Sequence, residues 1–210
     1  MKPVPPPPRG QLPAGRCLRC AFPVEGGCLC PAIPRLPITV RVVVVRHASE
    51  APRLTNSGRW AVAALEGATL FDHALTDRGS DHDLEKLLHG GASWLLYPSA
   101  RSGSPPGPAP RTLVVPDATW PQARRMVQRL APLRTMPRLA LPAPPPAARL
   151  RRPPRLVGMS TLEAIAGALE LLGDDAAAAA LRTLHQVAVE KTLRLKGMWP
   201  PANHHAPEIT

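Results

Sequence analysis

The segment 111–130 constrains the fold of this chain most, because a strand pattern runs directly into a helix pattern. Residues 112–115 are β-branched and apolar, and Pro116 is expected to end that strand by removing a backbone donor. Thr119 and Gln122 then stand in capping-box spacing, and apolar residues recur with helical periodicity through the rest of the segment. A strand, a tight turn and a helix form the repeating unit of α/β proteins, so we predict an α/β domain with a mostly parallel sheet.

Other segments extend this pattern. Residues 38–45 and 93–97 are typical of buried strands, and helices are expected after Ser160 and from about residue 174 to residue 197. A chain of 210 residues is long enough for one main core and too short for two full-sized domains. We therefore expect four consecutive parts: a flexible proline-rich tail at 1–14, a cysteine knuckle at 15–36, an α/β domain at 37–197 and a C-terminal tail at 198–210.

Asp117 is the most unusual side chain of the opening segment. It is the only acidic residue between positions 101 and 162, a span that contains eleven arginines. Nearby positive charge favours the charged form of a carboxyl group, which predicts an ionised Asp117 in an exposed loop. Its place between a strand and a helix N-terminus is where anionic ligands bind in many α/β proteins. Asp117 is therefore either a catalytic group or a turn residue that caps the strand exit.

Four cysteines near the N-terminus have the spacing of a metal site. Cys17, Cys20, Cys28 and Cys30 follow a Cys-x2-Cys-x7-Cys-x-Cys pattern, with a Gly-Gly turn between the two pairs. Four thiolates suit tetrahedral zinc and leave no coordination position for water, which predicts a structural site. Free or redox-active thiols are the alternative.

The charge of the chain points to its partner. Lysine and arginine total 26 against 15 acidic residues, a net charge of +11, which favours binding to nucleic acid. A basic, proline-interrupted connector carries the clearest candidates for RNA phosphate contacts, and its alternative role is that of a solvated linker. These candidates are Arg149, Arg151, Arg152 and Arg155.

The sequence gives no sign of membrane insertion or secretion. The N-terminus lacks the apolar core of a signal peptide, and no stretch reaches the roughly 18 apolar residues that a membrane span needs. We therefore expect a cytoplasmic protein that does not bind membranes. Nothing in the sequence indicates an obligate protein partner.

Several motifs, in order along the chain, resemble the DTW-domain family of tRNA-uridine aminocarboxypropyltransferases. Besides the cysteine cluster they are His47-Ala48-Ser49-Glu50, Asn56-Ser57-Gly58-Arg59, Leu96-Tyr97-Pro98-Ser99, Asp117-Ala118-Thr119-Trp120 and Ser160-Thr161-Leu162-Glu163-Ala164. The chain departs from the family pattern in two places, with alanine at position 118 instead of the usual glycine and alanine at position 48 instead of the usual proline. A Cβ at position 118 would matter if the backbone there needed a positive φ or close approach to a ligand.

The resemblance implies a SPOUT-like fold with a knotted cofactor region. It also implies transfer of the 3-amino-3-carboxypropyl group of S-adenosylmethionine to N3 of a uridine in tRNA, with Asp117 as the acceptor of the N3 proton. The cofactor-binding candidates are Tyr97, Pro98, Ser99, Ala118, Thr119, Trp120, Ser160 and Thr161. The RNA-binding candidates are Arg46, His47, Glu50, Arg53, Arg124, Arg125, Arg151, Arg152 and Arg155. Two alternatives stay open: a SPOUT-like RNA methyltransferase that uses the same cofactor, and a non-catalytic, zinc-containing RNA-binding module.

Overall fold

The structure is a computed structural model that describes residues 12–73, 80–98, 107–142 and 159–198. Several predicted features lie outside these residues. They are Ser99, the connector arginines Arg149, Arg151, Arg152 and Arg155, and most of the two predicted tails.

A parallel sheet forms the centre of the molecule, with its five strands in the order β2-β1-β4-β3-β5. The strands are β1 (Arg41–His47), β2 (Thr69–His73), β3 (Ser93–Leu96), β4 (Thr112–Asp117) and β5 (Arg138–Leu139). Because the strands are parallel, their carboxyl ends meet at one edge of the sheet. Asp117 therefore lies at the same edge as His47 and beside Arg46, its partner on β1.

Six α-helices accompany the sheet in the described part of the chain. They are α1 (Ser57–Ala64), α2 (Ser80–Leu88), α3 (Trp120–Arg129), α4 (Ala131–Thr135), α5 (Thr161–Leu171) and α6 (Asp175–Leu195). The predicted helix starts are confirmed: Thr119 precedes α3, and the Ser160 hydroxyl accepts a hydrogen bond from the Glu163 N–H at 3.2 Å at the start of α5. No helix among these residues is both long enough and apolar enough to cross a bilayer.

The helices cover both faces of the sheet, as the continuous apolar sequence of β1 predicts. Val42 and Val44 pack in one core with residues of α1, α5 and α6, while Val43 and Val45 pack in a second core with residues of α2, α3 and α4. Side chains of one strand alternate between the two faces, so β1 contributes to both cores. The predicted α/β architecture with a parallel sheet is confirmed.

Two local predictions are wrong. The first strand begins at Arg41 and not at residue 38. Pro116 does not end its strand, because β4 continues through Pro116, beside Val45, to Asp117. β3 pairs with β4 only as far as Val114, so Pro116 has a neighbouring strand on one side alone, a position where a missing N–H is tolerated.

Candidate active site at the carboxyl edge of the sheet

Asp117 is buried at the end of β4, with 5% of its surface exposed. Its Oδ2 accepts a hydrogen bond from Asn56 Nδ2 at 2.5 Å, and its Oδ1 accepts one from Thr161 Oγ1 at 2.6 Å. Asn56 is the N-cap of α1 and Thr161 is the first residue of α5. One carboxyl group therefore joins a strand end to the N-termini of two helices.

The hydrogen bonds continue from Asn56 across the sheet edge. Asn56 Oδ1 accepts from Arg46 Nη1 at 3.3 Å, and Arg46 in turn forms a two-point ion pair with Asp72 on β2, at 2.6 and 2.8 Å. Asn56 Oδ1 also accepts from the backbone N–H of Arg59 at 3.3 Å. These bonds fix the orientation of the Asn56 amide, because its oxygen faces two donors and its nitrogen must face Asp117.

Gly58 explains why the motif after Asn56 contains glycine. A Cβ built on Gly58 would lie 2.6 Å from Asp117 Oδ2 and 3.1 Å from Val44 Cγ1. The helix N-terminus can approach the buried carboxyl group this closely only without a side chain at this position.

Burial controls the ionisation of Asp117. Removal from water raises its pKa above the ordinary value of 3.8, while the hydrogen bonds from Thr161 and Asn56 and the charge of Arg46 lower it by less. The prediction that Asp117 lies in an exposed loop among the arginines around it in sequence is wrong, because the residue is buried at the end of β4. Among the described residues of that span, Arg111, Arg124, Arg125, Arg129, Arg134 and Arg138 have exposed side chains, and the arginine that lowers the pKa of Asp117 is Arg46 on β1.

A cavity of about 360 Å³ lies beside this carboxyl group, at the ends of β3, β4 and β5. Six of the eight predicted cofactor residues line it: Tyr97, Pro98, Ala118, Trp120, Ser160 and Thr161. Thr119 does not, because it caps α3, with its N–H donating to Gln122 Oε1 at 3.1 Å. Ser99 lies outside the described residues.

Two aromatic rings line the cavity, with their planes inclined by 59° to each other. The ring centroids of Tyr97 and Trp120 are 6.4 Å apart, and the Arg138 guanidinium lies 5.5 Å from the centre of the Tyr97 ring. Trp120 is 43% exposed although it is large and apolar. An exposed indole beside a cavity is suited to stacking on a planar ligand.

The predicted RNA-binding residues fall into two groups. Arg46 and Glu50 are buried and face the interior of the site, where Arg53 Nε approaches Glu50 Oε1 at 3.2 Å. Arg53 itself is exposed, as are Arg124 and Arg125 on α3.

His47 lies between these groups and is half-buried, with its Nδ1 accepting from the Ser49 N–H at 3.2 Å. Its partial burial, with a smaller effect of Arg125, lowers its pKa, which favours a neutral ring. Gln122 Nε2 reaches Ser49 Oγ at 3.0 Å, so the 47–50 turn and α3 form one continuous surface.

The four cysteines converge as their spacing predicts. Their sulfur atoms all lie within 4.8 Å of one another, with Cys17 Sγ 3.5 Å from Cys30 Sγ and Cys20 Sγ 3.4 Å from Cys28 Sγ. Sulfur atoms about 3.8 Å apart are expected around a tetrahedral zinc with bonds of about 2.3 Å. The backbone N–H of Cys20 lowers the pKa of Cys17 to about 6, whereas burial raises the pKa of Cys30. The donor set fits a zinc ion.

This cysteine cluster packs on the main core. Trp60 on α1 donates from Nε1 to the Cys20 carbonyl at 2.8 Å, and its ring lies 5.7 Å from that of Phe22. Phe22 and Leu29 are fully buried in the core that includes α1, α5 and α6. The knuckle therefore supports the helix whose N-cap, Asn56, holds Asp117.

Comparison with known proteins assigns the chain to a family. A family model described as the DTW domain matches residues 14–193. The chain belongs to the DTW-domain family. A curated Drosophila melanogaster protein named tRNA-uridine aminocarboxypropyltransferase 2 is 30% identical over 119 residues, which is 52% of this chain and 47% of that protein. The chain thus spans about half the length of this relative in the match. No solved structure matches the chain.

The motif that names the DTW domain combines three different tasks in this structure. Asp117 joins the helix N-termini, Thr119 caps α3, and Trp120 supplies an exposed wall of the cavity. Ala118 also lines the cavity, and it is not among the residues with positive φ. Alanine at this position is therefore compatible with the backbone.

Sequence reasoning missed part of the site. Asn56 and Gly58 belong to a recognised motif, but their contact with Asp117 was not predicted from it. Asp72 gave no local signal, since a single acidic residue at a strand end is common on protein surfaces. The apolar wall of the cavity was also missed, because its residues have the same composition as the core. It includes Leu96, Val115, Leu139, Leu141, Pro142 and Met159.

Proposed function

We propose that this DTW-domain protein transfers the 3-amino-3-carboxypropyl group of S-adenosylmethionine to N3 of a uridine in tRNA, forming acp3U. The observation that carries the proposal is the buried carboxyl group of Asp117, placed beside a cavity that six of the predicted cofactor residues line. The name of the Drosophila relative supports the reaction class. The half-length match leaves the particular tRNA position open to experiment.

The cavity fits the cofactor in size and chemistry. Its volume of about 360 Å³ falls in the range of small-molecule sites, which is about 300–1,000 Å³. Tyr97 and Trp120 supply aromatic surface for the adenine, while Ser160 supplies a hydroxyl group at the N-terminus of α5 for polar groups of the cofactor. When bound, S-adenosylmethionine supplies an electrophilic carbon next to a sulfonium, with methylthioadenosine as the leaving group.

Asp117 has the properties of a proton acceptor for this reaction. The N3 proton of uridine must leave as the new N–C bond forms, and a base works best when its pKa lies near the working pH. Burial moves the pKa of Asp117 upward from its ordinary value, which makes the ionised group a stronger base than a solvated aspartate. The hydrogen bonds from Asn56 and Thr161 hold it in one orientation.

Exposed basic residues beside the cavity provide the surface for tRNA. Arg124 and Arg125 lie on the exposed face of α3, whose first residue is Trp120 at the cavity. Arg53 extends this surface on the side of the 47–50 turn. Arginines on one face bind phosphates without base specificity and fix the register of the RNA. The connector arginines Arg151, Arg152 and Arg155 belong to this proposal on sequence grounds alone.

We assign the four cysteines to a structural zinc ion, because all four sulfur atoms are ligands and no position is left for water. The proposal also includes the knotted, SPOUT-like topology. The connection after β3 lines the cavity through Tyr97 and Pro98, and the connection after β5 lines it through Leu141 and Pro142. A knot of this kind would form from these two connections. A tRNA-modifying activity would place the protein in the cytoplasm.

The proposal is tested by incubating the purified protein with bulk tRNA and S-adenosylmethionine, digesting the tRNA to nucleosides and measuring their masses. We expect a uridine that carries the aminocarboxypropyl group. Asp117→Asn should lower turnover by about 10²- to 10⁴-fold with unchanged cofactor affinity in calorimetry. A methylated nucleoside would identify a methyltransferase instead. No modified nucleoside, together with tRNA binding that does not depend on the cofactor, would identify a binding module.

A further inference from the structure

The group that faces the cavity is Thr161 and not Asp117. Thr161 lines the cavity, as do Pro116 and Ala118 on either side of Asp117, but the carboxyl group itself is not among the lining residues. Asp117 is 5% exposed, and each of its oxygen atoms already accepts a short hydrogen bond. A molecule in the cavity therefore meets the Thr161 hydroxyl before it can reach the carboxyl group.

The two partners of Asp117 differ in what they can do with a proton. The Asn56 amide nitrogen is a donor only, and its oxygen is occupied by Arg46 and by the Arg59 N–H. The Thr161 hydroxyl has one proton and two lone pairs, so it can accept a proton from one side while it donates to the other. Of these two described partners, Thr161 is the one that can conduct a proton between the cavity and the carboxyl group.

We propose that Thr161 is the catalytic residue that contacts uridine N3, and that Asp117 is the terminal proton acceptor that acts through it. This inference rests on the proposed function. The N3–H bond breaks and its proton moves to Thr161 Oγ1, while the hydroxyl proton of Thr161 moves to Asp117 Oδ1. The N3 electron pair forms the bond to the transferred carbon, and the carbon–sulfur bond breaks with its electron pair going to sulfur. Asp117 ends the step neutral and later releases its proton to solvent.

The fold holds the Thr161 hydroxyl in the position this relay needs. Thr161 is the first residue of α5, directly after the cap Ser160, whose N–H donates to Glu163 Oε2 at 2.7 Å. On its other side the Leu162 N–H donates to Ser57 Oγ at 3.2 Å. Because bonds on both sides fix the backbone of Thr161, its hydroxyl can stay 2.6 Å from Asp117 without ligand. Such preorganisation removes the need to reorient groups during the reaction.

The test compares single-turnover rates of uridine modification for the wild type, Thr161→Val, Thr161→Ser, Asp117→Asn and the Thr161→Val/Asp117→Asn double variant, each with its cofactor affinity from calorimetry. Valine removes the hydroxyl at nearly constant volume, so we expect a loss of about 10²- to 10⁴-fold, with cofactor affinity unchanged. Serine keeps the hydroxyl and should keep most of the rate. The double variant should be no slower than the slower single variant, because both changes interrupt one relay.

Thr183→Val on the exposed surface of α6 is the matched control and should react like the wild type. If Thr161→Val does not fold by circular dichroism, Thr161→Ala removes the same hydroxyl and takes its place. Three outcomes would each overturn the relay alone. They are a rate near that of the wild type for the hydroxyl-free variant, rate losses that multiply in the double variant, and a rate loss that is matched by a loss of cofactor affinity. A wild type that makes no modified uridine would overturn the proposed function and the relay together.

Discussion

Gly58→Ala separates local helix preference from tertiary packing, because the two predict opposite changes in the free energy of unfolding. Gly58 is the second residue of α1, and alanine is favoured over glycine in a helix by about 1 kcal/mol. The new Cβ would lie 2.6 Å from Asp117 Oδ2 and 2.8 Å from Asp117 Cγ, whereas ordinary contacts begin at 3.4 Å. The neighbour is the buried end of β4, which cannot move aside as a flexible surface side chain can.

The expected cost follows from these contacts. Overpacking of this kind costs about 1–3 kcal/mol, and displacing the carboxyl group from Asn56 or Thr161 leaves a buried polar atom unpaired at a cost of about 1–3 kcal/mol. After subtraction of the helix preference, we expect a net loss of about 3 kcal/mol, which lowers the Tm by about 6–12 °C for a chain of this length.

Urea denaturation and thermal melts of wild type and variant measure this loss. The matched control is Gly167→Ala in α5, where the nearest atom to the new Cβ is a methyl group of Leu141 at 3.2 Å, the end of a side chain that can rotate. The control should be as stable as the wild type or more stable. If Gly58→Ala were also as stable as the wild type, the close packing of α1 against Asp117 would be refuted.

Three further predictions concern ionisation, RNA and metal. Because burial raises the pKa of Asp117 above 3.8, the folded state binds more protons than the unfolded state in the window above that value, so its contribution to stability falls as pH rises. Asp117→Asn should therefore gain stability relative to wild type as the pH rises above about 4. Arg124→Ala with Arg125→Ala should weaken tRNA binding and reduce the slope of log K against log salt by about 2. Cys28→Ser should contain no zinc by metal analysis and should have a lower Tm. The loss of stability should extend to α1, because Trp60 on α1 contacts the cysteine knuckle.

Each of these predictions has a contrary outcome. If the difference in stability between Asp117→Asn and wild type did not change with pH, the carboxyl group would have the same pKa in the folded and the unfolded chain. Arg182→Ala with Arg194→Ala removes the same charge from the exposed side of α6 and should leave the salt slope unchanged. If both double variants reduced the salt slope equally, the reduction would reflect the net charge of the protein and not phosphate contacts on α3. Wild-type protein without stoichiometric zinc would contradict the metal assignment.

The sequence by itself determined the features that depend on neighbouring residues. The β-branched run before Pro116 predicted β4, and the cap residues Thr119 and Ser160 predicted where α3 and α5 begin. These predictions succeed because a cap or an alternation pattern is completed within a few residues of chain. The cysteine spacing predicted the convergence of four sulfur atoms for the same reason, since 14 residues from Cys17 to Cys30 can close on one ion.

Only the tertiary structure decided the burial and the proton affinity of Asp117. The sequence places arginines around it, but the described ones point to solvent on α3 and its neighbours, while the carboxyl group lies among residues that are 44 to 61 positions away. An ionisable group responds to charges through space and to the water it has lost, and neither quantity follows from distance along the chain. The parallel sheet brings β1 and β4 side by side, and α1 and α5 then exclude water from their shared edge. That exclusion, and not the number of arginines nearby in sequence, sets the proton affinity of the group on which the proposed chemistry depends.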